Sequence, residues 1–167
     1  MALGDQDITT SLDKPCKENQ GGIETLYIFP YTKYSRAQIS LLDETLVDFP
    51  DTDVFEYKAQ GISFSENAKI TDGGVEWSQS LSFKIPVLDR DSEINKLNYM
   101  DYCIVFKDRQ NNLRIVGLFN GATIETSSTT GGDKGVFSGY DVKVSAKETR
   151  QAQYILAAFF NSTFTIQ

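Results

Sequence analysis

Between Gly73 and Pro86 the chain reads GGVEWSQSLSFKIP. Val75, Trp77, Gln79, Leu81, Phe83 and Ile85 occupy one phase of this stretch, and Glu76, Ser78, Ser80, Ser82 and Lys84 the other. Successive side chains of a strand point to opposite faces, whereas helical spacing would scatter the same apolar residues around a cylinder. The stretch is therefore a long β-strand with one apolar and one wet face. Gly73-Gly74 signals a turn before it, and Pro86 ends it because proline has no N–H for a ladder. It holds the only tryptophan. It is expected to be the central strand of an antiparallel sheet that packs on its Trp77 side.

The rest of the chain reads mostly as further strands. Ile23 to Tyr31 is strongly β-prone, with Pro30 restricting it to an edge or a strand end. Gln38 to Phe49 fits a short amphipathic helix or a hairpin turning at Asp43-Glu44, and its β-rich surroundings favour the hairpin. Val54 to Ala59 and Gly61 to Ile70 read as strands, so Gly61 to Pro86 is a long hairpin or two consecutive sheet strands. Asp89 to Met100 is the best helix candidate, with Ile94, Leu97 and Met100 on one face. Tyr102 to Lys107 is a buried strand that pairs back with Leu113 to Phe119 across a polar turn, and Asn120-Gly121 is a turn or bulge signal. Thr126 to Gly139, with four glycines, reads as a long loop. Tyr140 to Ser145 alternates like a strand. Ala146 to Phe160 has the composition of a helix or a strand-to-helix passage, with Ala152, Ile155 and Phe159 on one face. Phe164 to Ile166 is a final strand, in its own or a neighbouring subunit. The expected fold is a mainly β, single-domain antiparallel β-sandwich or barrel with one or two short flanking helices. It occupies residues 23–167, after an extended N-terminal arm over 1–22.

At 167 residues the chain is long enough for one domain with a proper core. It contains no histidine, which removes the commonest acid/base group and every Ser-His or Cys-His nucleophile pair. The net charge of −7 argues against a protein that grips phosphates. Its two cysteines, Cys16 and Cys103, make no disulfide framework, and Cys103 reads as a buried thiol. Gly131 to Gly135 lacks the serine or threonine and the strand-to-helix step of a phosphate loop. The pairs Asp51/Asp53 and Asp89/Asp91 lack calcium-loop spacing and read as solvated turn carboxylates. No enzyme activity, catalytic residue, metal or cofactor is expected. No stretch approaches the ~20 apolar residues of a membrane span, and the N-terminus has no apolar run of a signal peptide. Tyr31, Lys33, Tyr34 and Arg36 form an aromatic-basic cluster. It is either a partner-contact surface or a loop anchored by its tyrosines.

The order of segments carries a resemblance. It runs from Cys16 and Gly21-Gly22 through LYIFPYTKYSRAQI, Phe49-Pro50 and GGVEWSQSLSFKIP. The hairpin CIVFKDRQNNLRIVGLFNGATIE, a glycine-rich loop, GYDVKVSAKE (with Ala146 and Glu148) and an apolar end follow. Over residues 16–160 this resembles small β-rich virion proteins of tailed phages of Bacteroidota, including crAss-like phages, in particular tail-tube-like and tail-ring or head-to-tail connector components. The resemblance implies a structural virion protein, present in the tail and assembled in the host cytoplasm. Its subunits would form a six-fold or twelve-fold ring near the portal, surrounding the passage used in DNA ejection. Partners would be further copies and other tail or portal-proximal proteins, with DNA passing non-specifically and no membrane involved. Glu76, Ser78, Ser80 and Ser82 would face the lumen. Tyr31, Tyr34, Arg36, Asp133 and Lys134 would lie between subunits, where the arm and the Thr126–Gly139 loop act as clasps. The alternative is another virion β-module, such as a capsid decoration, fibre base or carbohydrate-binding sandwich. For that role Tyr27, Tyr31 and Tyr34 are the candidate aromatics.

Overall fold

The alternating stretch is one half of a long hairpin. The computed structural model describes residues 24–32, 39–86, 93–107, 112–133 and 135–167. The strands are β1 (Glu24–Pro30), β2 (Ser40–Leu42), β3 (Thr45–Asp48), β4 (Thr52–Thr71), β5 (Gly74–Ile85), β6 (Tyr102–Lys107), β7 (Leu113–Val116), β8 (Ala122–Thr129), β9 (Gly139–Glu148), β10 (Gln153–Ile155) and β11 (Phe164–Ile166). Two short helices, α1 (Glu93–Lys96) and α2 (Ala157–Thr163), complete the described elements. The arm expected over 1–22, residues 89–92 of the expected Asp89–Met100 helix and most of the expected Asp108–Asn112 turn lie outside the described residues; of that helix the described part is α1 alone, and residues 97–100 turn away from it.

Strands β1, β4, β5, β9, β8 and β6 pair in that order, and β6 pairs back onto β1, closing a six-stranded antiparallel barrel in a single domain. Closure on the β8 side runs through one register pair, Tyr102 with Ala122. The rest of that edge of β6 takes β7, which continues through β10 and β3 to β2 as a second sheet. The barrel interior is filled by side chains from all six strands, among them Leu26, Tyr57, Phe83, Tyr102, Ile124 and Val142, with Ile94 of α1 and Leu97 of the turn after it packed in. A second core packs Phe29, Cys103 and Val105 against Leu46, Ile115, Ile155, Phe160 and Phe164. Strand β6 is therefore buried on both faces, which explains why Tyr102 to Phe106 is a continuous apolar run and not an alternating one. Each large side chain buried this way contributes about 1.5–3 kcal/mol.

The hairpin expected over Gln38–Phe49 is β2–β3, with Asp43 and Glu44 both at positive φ (48° and 62°). This is the mirror-image turn that suits strand twist, with the two-residue acidic pair at its centre. The two strands expected on either side of Gly61 are one 20-residue strand, β4. Gly61, at φ +61°, supplies a bulge where the register against β5 shifts between Gln60 and Ser63. An added Cβ at Gly61 would meet nothing within 4 Å, so only the backbone resists a side chain. Gly61→Ala is expected to cost about 1 kcal/mol from the left-handed conformation. Urea denaturation reads this directly, and a neutral substitution would mean the bend relaxes elsewhere.

Of the two places expected for Pro30, an edge or a strand end, it takes the second: β1 ends at Pro30 and pairs with both β4 and β6. Pro30 is tolerated because its pairing with β4 has already ended at Ile28. Trp77 is half-exposed and absent from both cores, because the hairpin runs beyond the barrel and its apolar phase outlasts the layer beneath it. The loop expected over Thr126–Gly139 is shorter, since β8 continues to Thr129 along β9. Asn98 fastens that extension, donating to Thr126 Oγ1 at 2.7 Å and accepting from its amide at 3.1 Å. Of the two readings of Ala146 to Phe160, the strand-to-helix passage holds: it is the end of β9, then β10, then the first part of α2, so Ala152 and Ile155 lie outside the helix and share no helical face with Phe159. The last strand, β11, pairs parallel to Thr52–Val54 of its own chain.

Candidate functional site

The polar phase of β5 lies on the outer surface of the barrel, and the register shows what surrounds it. Ser80 stands between Ser65 of β4 and Ser145 of β9, and Ser145 stands beside Thr123 of β8. One row across four strands thus presents four small hydroxyls, all exposed. The neighbouring row holds Ser63, Ser82, Lys143 and Glu125, and the next holds Asn67, Ser78 and Lys147. Alternation explains the pattern, because the opposite phase of the same strands supplies the core. Among the charges on this wall, Lys147 Nζ is 3.6 Å from Glu76 Oε1 and Lys84 Nζ is 3.6 Å from Asp141 Oδ1. Lys143 sits directly across from Glu125. Glu76, Ser78, Ser80 and Ser82 are therefore brought together on one short-chained face whose lysines stand beside carboxylates.

The residues expected between subunits are not gathered in the same way. Tyr34, Arg36 and Lys134 lie outside the described residues. Tyr31 is tied into its own chain: its hydroxyl donates to the Phe119 carbonyl at 2.6 Å. Its ring closes over Gly121, where a Cβ would come within 2.9 Å of it. Tyr27 packs on Phe160 with ring centroids 4.7 Å apart and the planes tilted by 46°. Asp133 is exposed in the β8–β9 loop, its carbonyl accepting from the Val136 amide. Asp51 and Asp53 are exposed, and no group of three or more His, Cys, Asp or Glu among the described residues is placed to hold a metal ion.

Two polar clusters sit where the alternation predicts core. At the first, Glu148 closes the apolar phase of β9 but is a carboxylate only 3% exposed. Its Oε1 accepts the amides of Phe119 (3.2 Å) and Asn120 (3.0 Å), while Oε2 has no hydrogen-bond partner among the described residues. Burial pushes the carboxyl up to about 6 from its ordinary 4.5, against the opposing pull of the two amides. Nearby, Gln79 Oε1 accepts the Gly117 amide at 3.3 Å and Cys103 Sγ donates to the Gly117 carbonyl at 3.2 Å. Burial, then Glu148 and Asp101, push the Cys103 thiol up, so it is protonated and unreactive at neutral pH. This cluster binds backbone: it holds the Gly117–Gly121 turn that lets β7 and β8 share one edge of β6.

At the second cluster, Arg114 of β7 meets Glu66 of β4 at 2.6 Å and also donates to the Ala152 carbonyl at 3.2 Å. Glu66 Oε2 accepts the Ala152 amide at 3.0 Å. The guanidinium lies between the rings of Phe64 and Tyr154, 4.9 Å from each centroid. This clasp fixes the β4–β5 hairpin across the second sheet. The phase of each strand could have exposed both clusters, since Gln79 and Glu148 are polar residues on apolar phases. Nothing in the sequence pairs Glu66 with Arg114, 48 residues away.

The site and fold define a closed β-barrel with a hydroxyl-rich outer wall and a projecting hairpin. No protein-family model matches the chain, and comparison with curated proteins and with solved structures returns no match. No helix among the described residues is long and apolar enough to cross a membrane.

Proposed function

We propose that this chain is a structural assembly subunit of a phage tail or head-to-tail connector, building a ring or tube segment around a DNA passage. The observation that carries the reading is the outer wall. The barrel interior is packed solid, so a passage would have to form between copies, against an outer face. The β4–β5–β9–β8 face suits that role. Its hydroxyls keep a hydrated surface, and its paired lysines offer little net charge to hold sliding phosphates. Glu76, Ser78, Ser80 and Ser82 are then lumen residues, as the resemblance implies.

The test is negative-stain imaging of the purified protein across concentrations, with nanogold on Ser80→Cys in a Cys16→Ser background. Closed rings with gold at the rim of the central hole are expected. Open chains, gold at the outer perimeter, or monomers at every concentration would overturn the reading.

A further inference from the structure

Asparagine or aspartate stands before glycine at two places in the chain, Asp72-Gly73 and Asn120-Gly121. Such a pair can cyclise. The backbone nitrogen of the glycine loses its proton and attacks the side-chain carbonyl carbon of the residue before it. The new C–N bond closes a succinimide ring, and the side-chain group leaves as ammonia from asparagine or as water from aspartate. Water then opens one of the two ring carbonyls, giving aspartate or isoaspartate. No oxidant or reductant takes part. Glycine favours the step because it has no Cβ to crowd the attacking nitrogen and its backbone turns freely. Asparagine reacts faster than aspartate, whose ionised carboxylate is a poor electrophile. By sequence alone, Asn120 is therefore the more reactive of the two.

The fold reverses that order. The Gly121 amide, which would have to attack, donates to the Gly117 carbonyl at 3.0 Å. The Asn120 side chain, which would have to be attacked, donates from Nδ2 to the Lys147 carbonyl of β9 at 2.7 Å. The Asn120 amide donates to Glu148 Oε1 at 3.0 Å. Gly121 is itself buried beneath the Tyr31 ring. Nucleophile, leaving group and backbone are thus each bonded to a different partner, so cyclisation needs this turn to open first. Asp72-Gly73 has no such restraints. The pair is the loop of the β4–β5 hairpin, beyond the last register pair, Thr71 with Gly74. Both residues are exposed, and a Cβ added at Gly73 would meet nothing within 4 Å. The Thr71 hydroxyl donates to the Gly74 carbonyl and leaves the Gly73 amide without a partner among the described residues.

We infer that Asp72-Gly73, at the hairpin tip, is the site of spontaneous isoaspartate formation in this chain, and that the Gly117–Gly121 turn shuts the intrinsically faster Asn120-Gly121 site. The consequences at the two places also differ. Isoaspartate routes the main chain through its own side-chain carbons and so lengthens it. At the tip this enlarges an exposed loop that lies outside the ladder. At Asn120 it would set a new carboxylate beside that of Glu148 and displace the turn that lets β7 and β8 share one edge of β6.

Prolonged incubation of the full chain at neutral pH tests it, with peptide mapping by mass spectrometry and isoaspartyl methyltransferase labelling to locate the product. In the folded wild type, isoaspartate should accumulate at Asp72 while Asn120 stays intact. Asp72→Asn puts the same Asn-Gly dipeptide at both places in one molecule. In that folded variant, conversion at position 72 is expected to outpace conversion at Asn120 by about tenfold or more, because hydrogen bonds must break only at the second site. In urea the two positions should convert at similar rates. Gly73→Ala, which has open space for its methyl group, should slow the reaction at Asp72 with the circular dichroism unchanged. Equal rates at the two positions of the folded variant would overturn the inference, as would modification of Asn120 ahead of Asp72 in the folded wild type. A difference that persisted undiminished in urea would also overturn it, since local sequence and not the fold would then set the order.

Discussion

Arg114→Ala is expected to lower unfolding free energy by about 3 kcal/mol or more, the largest effect of any single side chain outside the two apolar cores. The guanidinium closes four contacts at once: Glu66, the Ala152 carbonyl, and the faces of Phe64 and Tyr154. Removing it leaves the Glu66 carboxylate, largely shielded from water, with only the Ala152 amide. The cost comes mainly from that stranded charge, since ion pairs of this kind gain little net free energy from mutual attraction. The double variant Arg114→Met, Glu66→Leu is therefore expected to recover most of the loss. Lysine at 114 is not, because it cannot reproduce a planar group between two rings. Urea denaturation of the three variants decides the matter. Hydrogen exchange adds a location: protection should fall in the hairpin beyond Phe64 and hold in β1 and β6. A loss below about 1 kcal/mol for Arg114→Ala would show that the hairpin is held by apolar contacts alone.

Glu148→Gln is expected to stabilise the protein at pH 7 and to lose that advantage in acid. The folded-state value of about 6 lies above the ordinary 4.5. Between those values the native state binds more protons than the unfolded chain, so the Glu148 contribution makes stability fall as pH rises through that window. A shift of this size corresponds to up to about 2 kcal/mol at neutral pH. Glutamine keeps the oxygen that accepts the Phe119 and Asn120 amides and removes the buried charge. The measurement is the difference in unfolding free energy between variant and wild type at pH 4 and pH 7, which cancels the other carboxylates. An equal difference at both pH values would mean that Glu148 titrates normally. A variant less stable at both would mean that the charge itself holds the turn. Glu148→Ala is the contrasting case, leaving two amides without an acceptor and costing stability at either pH.

Both predictions concern polar groups placed on apolar phases, and there the reach of the sequence can be judged. Alternation from Val75 to Ile85 determined a strand, its wet face and its core face, because side-chain direction has a period of two whatever the strand pairs with. At Asp43-Glu44 the β-rich surroundings favour a hairpin over a short helix, and the turn at positive φ bears that out; the histidine-free composition leaves no Ser-His or Cys-His pair. These properties are local, and local sterics decide them. The tertiary structure decided the rest. Trp77 lies on the core phase but is half-exposed, since only the crossing of the hairpin over β6 and β7 determines where the layer beneath it ends. Thr126 to Thr129 look like loop residues and form strand, because β9 and Asn98 supply partners that no nearby residue announces. Glu66 of β4 and Arg114 of β7 meet although two whole strands, β5 and β6, separate them in the chain. Closure of the barrel through Tyr102 and Ala122, and with it the sharing of β6 between two sheets, depends on contacts far apart in the chain, and such contacts leave no periodic trace in the residues that make them.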